Sequence, residues 1–441
     1  MKTLRITTVL LSLLAMPALT AQNRFPKPEF TGGYKVPEAG SLPSSATHLE
    51  HSILPVVPYL QYFVLAMLLL FLLLSCYFVY RKRSRRGIFL MVLAAIGFFG
   101  FFIHGCICAV GSIQNVVAAI FNPAFPISPF VIGVFILPLL FALFAGRVFC
   151  GSVCPLGAIQ DVVGFAPVKV VPWLDRLLRI IPLFYLGFGV LWAATGAGFI
   201  ICRFDPFVGF YRMSAPISIL TAGTALLLLG VFVSRPYCRY LCPYGVLLSW
   251  CSALSSRLVS VTPDECIRCR LCEDVCPVDA IMPPAPVQDR EPLRKSLRRV
   301  IFLLLILPVI TAAAGTAGYF LGAKLGKLHP KVELYRQVSA ELAAGIPPQN
   351  DETLAFRSVG TPVTHLRGEV DAIIMKFRIG TGVLGVFLAL AVMARLFNFS
   401  KRRENKDFLV DSSLCVCCGR CYSACPREPR NRMMTKEGNP T

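Results

Sequence analysis

Apolar residues dominate this chain in long blocks rather than in alternating patterns. Seven blocks stand out, at roughly 56–80, 88–104, 128–146, 180–201, 216–234, 299–322 and 377–398. A run of about 20 apolar residues reaches across a bilayer as a helix. The pattern therefore predicts an all-α polytopic membrane protein with about seven spans. Basic residues punctuate the blocks, most densely at Arg81-Lys82-Arg83-Ser84-Arg85-Arg86 after the first. By the positive-inside rule that end is cytoplasmic, and the other loops follow by alternation. Residues 105–127, 202–215 and 323–376 then fall outside. Residues 147–179, 235–298 and the tail from Lys401 fall inside.

Composition agrees with this reading. Of 441 residues, 55% are hydrophobic, and the mean hydropathy is +0.65, above what soluble domains show. The net charge of +20 sits beside apolar runs. It reads as orientation and attraction to anionic lipid, not as a nucleic-acid footprint. Residues 1–21 resemble a secretory signal, with an uncleaved anchor as the alternative. Residues 22–55 then form an extracytoplasmic segment, and 56–87 the first span with its basic loop. A duplicated membrane core follows at 88–260. Beyond it come a ferredoxin motif at 261–290, a span at 291–322, an extracytoplasmic loop at 323–376, a span at 377–400 and a second ferredoxin motif in 401–441. The 323–376 loop reads as a small helical excursion, with His329 and His365 as surface or capping residues.

The chemistry lies in the cysteines. Cys266, Cys269, Cys272 and Cys276, followed by Pro277, form a C-x2-C-x2-C-x3-C-P run. Cys415, Cys418, Cys421 and Cys425, followed by Pro426, form another. This spacing wraps a [4Fe–4S] cluster, three thiolates from one turning loop and a fourth after it. Zinc sites instead separate two C-x2-C units by a longer gap. In two-cluster ferredoxins the fourth cysteine serves the other cluster. One cluster would then take Cys266, Cys269, Cys272 and Cys425, and the other Cys415, Cys418, Cys421 and Cys276. That requires 262–290 to pack with 408–430 in one two-cluster ferredoxin-like α+β module in the cytoplasm. Cys417, Cys76 and Cys251 fit no ligand position.

A second pattern lies in the core. Gly146-Arg147-Val148-Phe149-Cys150-x3-Cys154-Pro155 is matched by Ser234-Arg235-Pro236-Tyr237-Cys238-x3-Cys242-Pro243. Within each pair the thiols sit one above the other if the segment is helical. Cys150, Cys154, Cys238 and Cys242 supply four thiolates, enough for a further cluster, or they cycle as redox thiols. An echo, Cys108-Ala-Val-Gly-Ser-Ile-Gln-Asn-Val, parallels Cys154-Pro-Leu-Gly-Ala-Ile-Gln-Asp-Val. Cys202-Arg-Phe-Asp-Pro takes the equivalent place in the second copy. Cys106, Cys108 and Cys202, with His104 a candidate fourth ligand, would gather near the outer face, at the opposite side of the membrane from the C-x3-C-P pairs. The core thus reads as two helix pairs, 88–165 and 180–255, with broken helices of the kind that build membrane sites.

Two C-x3-C-P pairs plus two ferredoxin runs resemble the membrane polyferredoxin family. Its members include NapH-type quinol dehydrogenase components and the C-terminal half of NosR-type proteins. The resemblance covers residues 88–285 and 408–430. It implies a carrier in the bacterial inner membrane, part of a respiratory chain. Such a carrier passes electrons between a quinol or cytoplasmic donor and an extracytoplasmic flavoprotein or reductase acceptor. It implies an electron-transfer component rather than a stand-alone enzyme. The chain departs from NosR-like proteins in lacking their flavin-attachment motif. A metal-handling assembly factor and a redox sensor are the alternative function classes. No phosphate loop, nucleotide fingerprint or nucleophile–base pair is present. Gly196-Ala-Gly198 and Gly380-Thr-Gly382 read as helix packing.

Overall fold

A computed structural model describes residues 58–428 apart from 104–107, 124, 165–167, 169, 213–215, 257–258, 262–265, 285–292 and 401–406. The signal-like stretch, residues 22–55, His104 and Cys106 lie outside the described residues. The architecture is mostly helical, with a single pair of two-residue strands among the described residues.

Five helical stretches are long and apolar enough to cross a membrane: Tyr59–Arg81, Arg85–Phe102, Pro172–Thr195, Leu297–Gly326 and Val363–Phe397. The other two blocks make shorter helices than the sequence pattern suggests. Pro129–Ala145 has 17 residues and Ile217–Phe232 has 16, about 24–26 Å against a hydrocarbon layer of about 30 Å. The reason is local. Ser128 caps the start of the first and Gly146, at φ +64°, ends it. Pro216 precedes the second, and Pro236 follows within four residues of its end. The fourth block also stops early, because Gly196 takes a left-handed conformation at φ +75° after Thr195. Gly196 is thus a helix stop rather than a packing surface.

The stretch 105–127 is not wholly loop. Ala109–Phe121 is a helix whose first turns are buried, packed against Ile181–Thr195 and Pro129–Ala145. Gln114 fixes it there. Its side chain donates to the Gly189 carbonyl (3.4 Å) and accepts from the Ile201 amide (2.9 Å). A fully buried amide side chain is stable only when so satisfied.

The last two long helices, Leu293–Gly326 and Val363–Ser400, lie against each other. Their contact rests on small residues. A side chain at Gly318 would strike the Thr381 carbonyl, and one at Gly322 would sit 2.7 Å from the Phe377 carbonyl. Close backbone approach of this kind drives helix pairing where no hydrophobic difference exists. Between them come Pro330–Ala344 and Asp351–Ser358, so the last long helix begins well before residue 377. His329 caps Pro330–Ala344 through Nδ1, which accepts from the Lys331 amide at 3.1 Å.

The two ferredoxin runs meet. Ile281 and Met282 pair antiparallel with Val410 and Leu409. This small unit is bolted to the helical core by arginines. Arg83 pairs with Glu428 (2.6 Å), donates to the Ser260 carbonyl (2.9 Å) and lies over the Tyr422 ring. Arg239 pairs with Asp175 and Asp279 and donates to the Pro277 carbonyl; Arg179 donates to the Val278 carbonyl. At the centre lies Asp161, whose side chain is 1% exposed. It receives Arg85 (2.6 Å), Arg420 (3.0 Å) and Arg235 (3.3 Å). Burial alone raises its pKa. Arg235, Arg85 and Arg420 outweigh that and hold the carboxyl well below the usual carboxylate range.

Removing one member of a buried charge network strands the others and costs about 3–5 kcal/mol. Asp161→Ala should therefore loosen the ferredoxin unit from the core, lowering the melting temperature and exposing 408–428 to protease. Because the folded pKa is depressed, the stabilisation is present above the unfolded carboxylate pKa, about 3.9. It is lost only as pH falls through the lower folded value. A wild-type protein that becomes protease-sensitive at pH 5 would contradict this.

Candidate iron–sulfur sites

Two cysteine-ringed cavities lie in the ferredoxin unit. The first is lined by Cys266, Cys269, Cys272 and Cys425, with Val261, Ile267, Phe408 and Pro426. The second is lined by Cys276, Cys415, Cys418 and Cys421, with Val259, Val261, Val278 and Ile281. In each, three cysteines come from one run and the fourth from the other. Cys417 also borders the second cavity, but its thiol points a weak bond at the Ala145 carbonyl (3.9 Å). Its backbone explains its place. Arg268 and Arg270 have φ of +54° and +63°, and the equivalent Cys417 and Gly419 have +54° and +72°. A left-handed residue on each side of the middle cysteine curls the loop, turning its amides inward. Arg270 and Gly419 then open the short helices Leu271–Asp274 and Arg420–Ala424. Burial and Cys418 push the Cys276 thiol up to about 11, so a metal must displace its proton to bind.

A third cavity lies in the core and is lined by Cys150, Cys154, Cys238 and Cys242. The C-x3-C spacing does not form one continuous helix. Phe149–Val153 is a π-helical turn, Cys154 is extended, and Pro155 begins a new helix. In the second copy Pro236–Tyr240 is one turn, Cys242 is extended, and Pro243 begins Pro243–Ala253. The proline at each break fixes φ for a first helical position. The break aims both thiols of a pair into the cavity, where a continuous helix would stack them along its side. Ala109 and Val110, from the start of Ala109–Phe121, complete the wall. Three helices thus start at this cavity, and their N-terminal dipoles favour thiolate charge.

Two buried arginines sit between the second and third cavities. Arg235, 1% exposed, donates to the Cys150 carbonyl (2.7 Å) and the Gly151 carbonyl (3.2 Å). Its charge also acts on Cys418 of the ferredoxin unit. Arg147 donates to the Ser413 carbonyl (3.2 Å) and reaches toward the Cys150 sulfur (3.9 Å). The Nε of each lacks a partner among the described residues. Gln160 donates to the Cys238 sulfur (3.3 Å). Four thiols, a dry apolar wall and spare cationic donors suit an anionic cluster whose sulfurs accept hydrogen bonds. Among the described residues no three Cys, His, Asp or Glu side chains converge as ligands of one metal ion do. Cysteines spread around a cavity match a cluster, in which each thiolate takes its own iron, better than a single zinc.

Cys108 and Cys202 come together, close to the C-x3-C-P cavity. Both sulfurs lie within 4 Å of the space a Gly111 side chain would fill (3.7 and 2.8 Å). The residues following Cys108 line the third cavity, so the two groups are neighbours. The inward turn of Ala109–Phe121 is the cause. Cys106 and His104 lie outside the described residues. Cys76 and Cys251 pack among hydrophobic side chains. Arg147 and Arg235 hold the same place in the two copies of the repeated motif and join the site.

Residues 127–180 and 215–262 match a family described as a 4Fe-4S binding domain, and residues 259–282 match another of the same description. The paired match falls on the two C-x3-C-P copies. The putative electron transport protein YccM of Escherichia coli (strain K12) is 31% identical over 124 residues, 26% of this chain and 34% of its own length. An uncharacterized protein of Methanocaldococcus jannaschii is 40% identical over 52 residues, 12% of this chain and 21% of its own. The chain therefore covers about a third of the first relative and a fifth of the second. No solved structure matches. The domain matches and the relative together support 4Fe–4S binding and a role in electron transfer.

The crossed cysteine sets make a test. Cys276→Ser should abolish the EPR signal of the cluster held mainly by Cys415, Cys418 and Cys421, leaving the other. Cys425→Ser should do the reverse. Loss of each variant's own-run cluster instead would contradict the crossed geometry.

Proposed function

We propose that this protein is a membrane electron-transfer carrier of the polyferredoxin type, similar in role to NapH-type components. In this reading the ferredoxin unit faces the cytoplasm. The C-x3-C-P site continues the path into the membrane core, toward an extracytoplasmic flavoprotein or reductase. The donor is a quinol or a cytoplasmic reductase. Iron–sulfur clusters supply one-electron carriage when bound.

The observation that carries the reading is the row of three adjacent cysteine-ringed cavities. Val261 borders both ferredoxin cavities. Arg235 and Arg147 bridge from the second to the third. Tunnelling falls steeply with distance, so short separations with dry, rigid walls are what a carrier needs. The protein's residues hold the thiolates, exclude water and set potentials through nearby charge. Arg147 and Arg235 stabilise the more negative, reduced state of the centres they touch. The basic cluster Arg81–Arg86 has a double use here, orienting the first span and gripping the ferredoxin unit through Arg83 and Arg85.

Reconstitution in sealed vesicles tests the proposal. A reductant on the ferredoxin side should reduce an impermeant dye on the other side. Cys150→Ser with Cys238→Ser should slow this at least tenfold while the ferredoxin signals remain. Equal rates in variant and wild type would remove the third cavity from the path. Absence of any transfer in the wild type would favour an assembly or sensing role.

A further inference from the structure

The architecture of the C-x3-C-P site occurs in the structure a second time, around Cys108 and around Cys202-x2-Asp205-Pro206, which is one residue shorter than Cys238-x3-Cys242-Pro243. Cys154 and Cys242 each occupy the residue before a proline-initiated helix, and each is three residues ahead of a glycine. Cys108 holds the same place before Ala109–Phe121. Its sulfur accepts from the Gly111 amide at 3.3 Å, as the Cys242 sulfur accepts from the Gly245 amide at 3.3 Å. Asp205 holds it before Pro206–Arg212, accepting from the Phe207 amide (3.0 Å).

The supporting glutamines repeat too. Gln160 accepts from the amide of Tyr237, the residue before Cys238 (3.1 Å). Gln114, six residues after Cys108 as Gln160 is after Cys154, accepts from the amides of Ile201 and Cys202 (2.9 and 3.4 Å). Gly111 faces the Cys202 sulfur as Gly157 faces the Cys238 sulfur. Cys108 therefore corresponds to Cys154, Cys202 to Cys238, and Asp205 to Cys242.

We propose that Cys108, Cys202 and Asp205 ligate a fourth iron–sulfur cluster beside the C-x3-C-P site. The proposal rests on the reading that the C-x3-C-P cysteines hold a cluster, since it transfers their chemistry by internal symmetry. Asp205 replaces one thiolate by a carboxylate, and a non-thiolate ligand moves a cluster's potential and spectrum. The two sites share a wall. Tyr237 lines the third cavity, precedes its ligand Cys238, and donates its hydroxyl to Asp205 (3.2 Å). Cys202 is exposed and Asp205 is buried.

Iron and acid-labile sulfide counts on the full chain, purified anaerobically in detergent, test this. Cys108→Ser with Cys202→Ser should lose about a quarter of both relative to wild type, as one of four clusters, and keep the ferredoxin EPR signals. Unchanged counts overturn the proposal. Asp205→Cys guards against misfolding of that variant. It should retain the iron and alter one set of g-values, and an unaltered spectrum overturns the assignment of Asp205. Cys150→Ser with Cys238→Ser separates the two readings. If it loses no iron, the third site fails, while the Cys108/Cys202 variant still decides the fourth.

Discussion

A single buried carboxylate organises the junction on which this molecule depends. Asp161 gathers Arg85 from the start of a long apolar helix, Arg420 from the ferredoxin unit and Arg235 from the second C-x3-C-P copy. Two of the three guanidiniums have a second task. Arg85 donates to the Cys418 carbonyl, and Arg235 holds the Cys150 and Gly151 carbonyls. The ferredoxin unit is thereby fixed against the C-x3-C-P segments of the core. Three cations around one anion leave a surplus of positive charge. Anionic clusters on either side would balance it, so the network and the cofactors are electrostatically interdependent.

The core answers a second constraint, that of placing cysteine ligands deep among apolar helices. Irregular backbone there is tolerated only where protein covers it. The chain meets this by breaking its helices at Cys-Pro steps and pointing their starts at one cavity. The free amides at those starts face sulfur rather than lipid. Gln114 and Gln160 satisfy amides at the facing turns, which would otherwise be buried without partners. The short helices Pro129–Ala145 and Ile217–Phe232 lie immediately before the broken segments that carry the C-x3-C-P pairs.

Much of this was legible in the residues. The spacing of Cys266–Cys276 and Cys415–Cys425 carries the ferredoxin loops, because three thiolates on a turning loop need that spacing whatever surrounds them. The duplicated Arg-x-aromatic-Cys pattern carries the third cavity. Depth was not legible. Residues 105–127 hold no Lys or Arg, and an uncharged stretch after an apolar block reads as an outer loop. Within it Ala109–Phe121 is a helix with buried first turns, held by one glutamine whose partners, Gly189 and Ile201, lie more than 70 residues away. Asp205 does not stand out in the sequence, because a carboxylate interrupts the repeated cysteine pattern. Arg83 and Arg85 read as topology signals because their partners Glu428 and Asp161 are distant in sequence.

In the proposed reading the ferredoxin unit and the core cysteines form one continuous row of closely spaced centres. Stepwise reduction of the purified protein, followed by EPR, tests it most directly. The account predicts that spectra of the ferredoxin clusters broaden and split as a further centre becomes paramagnetic, through magnetic coupling between neighbours. It also predicts that Cys150→Ser removes that splitting while leaving the ferredoxin clusters intact. Spectra that are the simple sum of two clusters at every stage, with no further iron to reduce, would contradict the account.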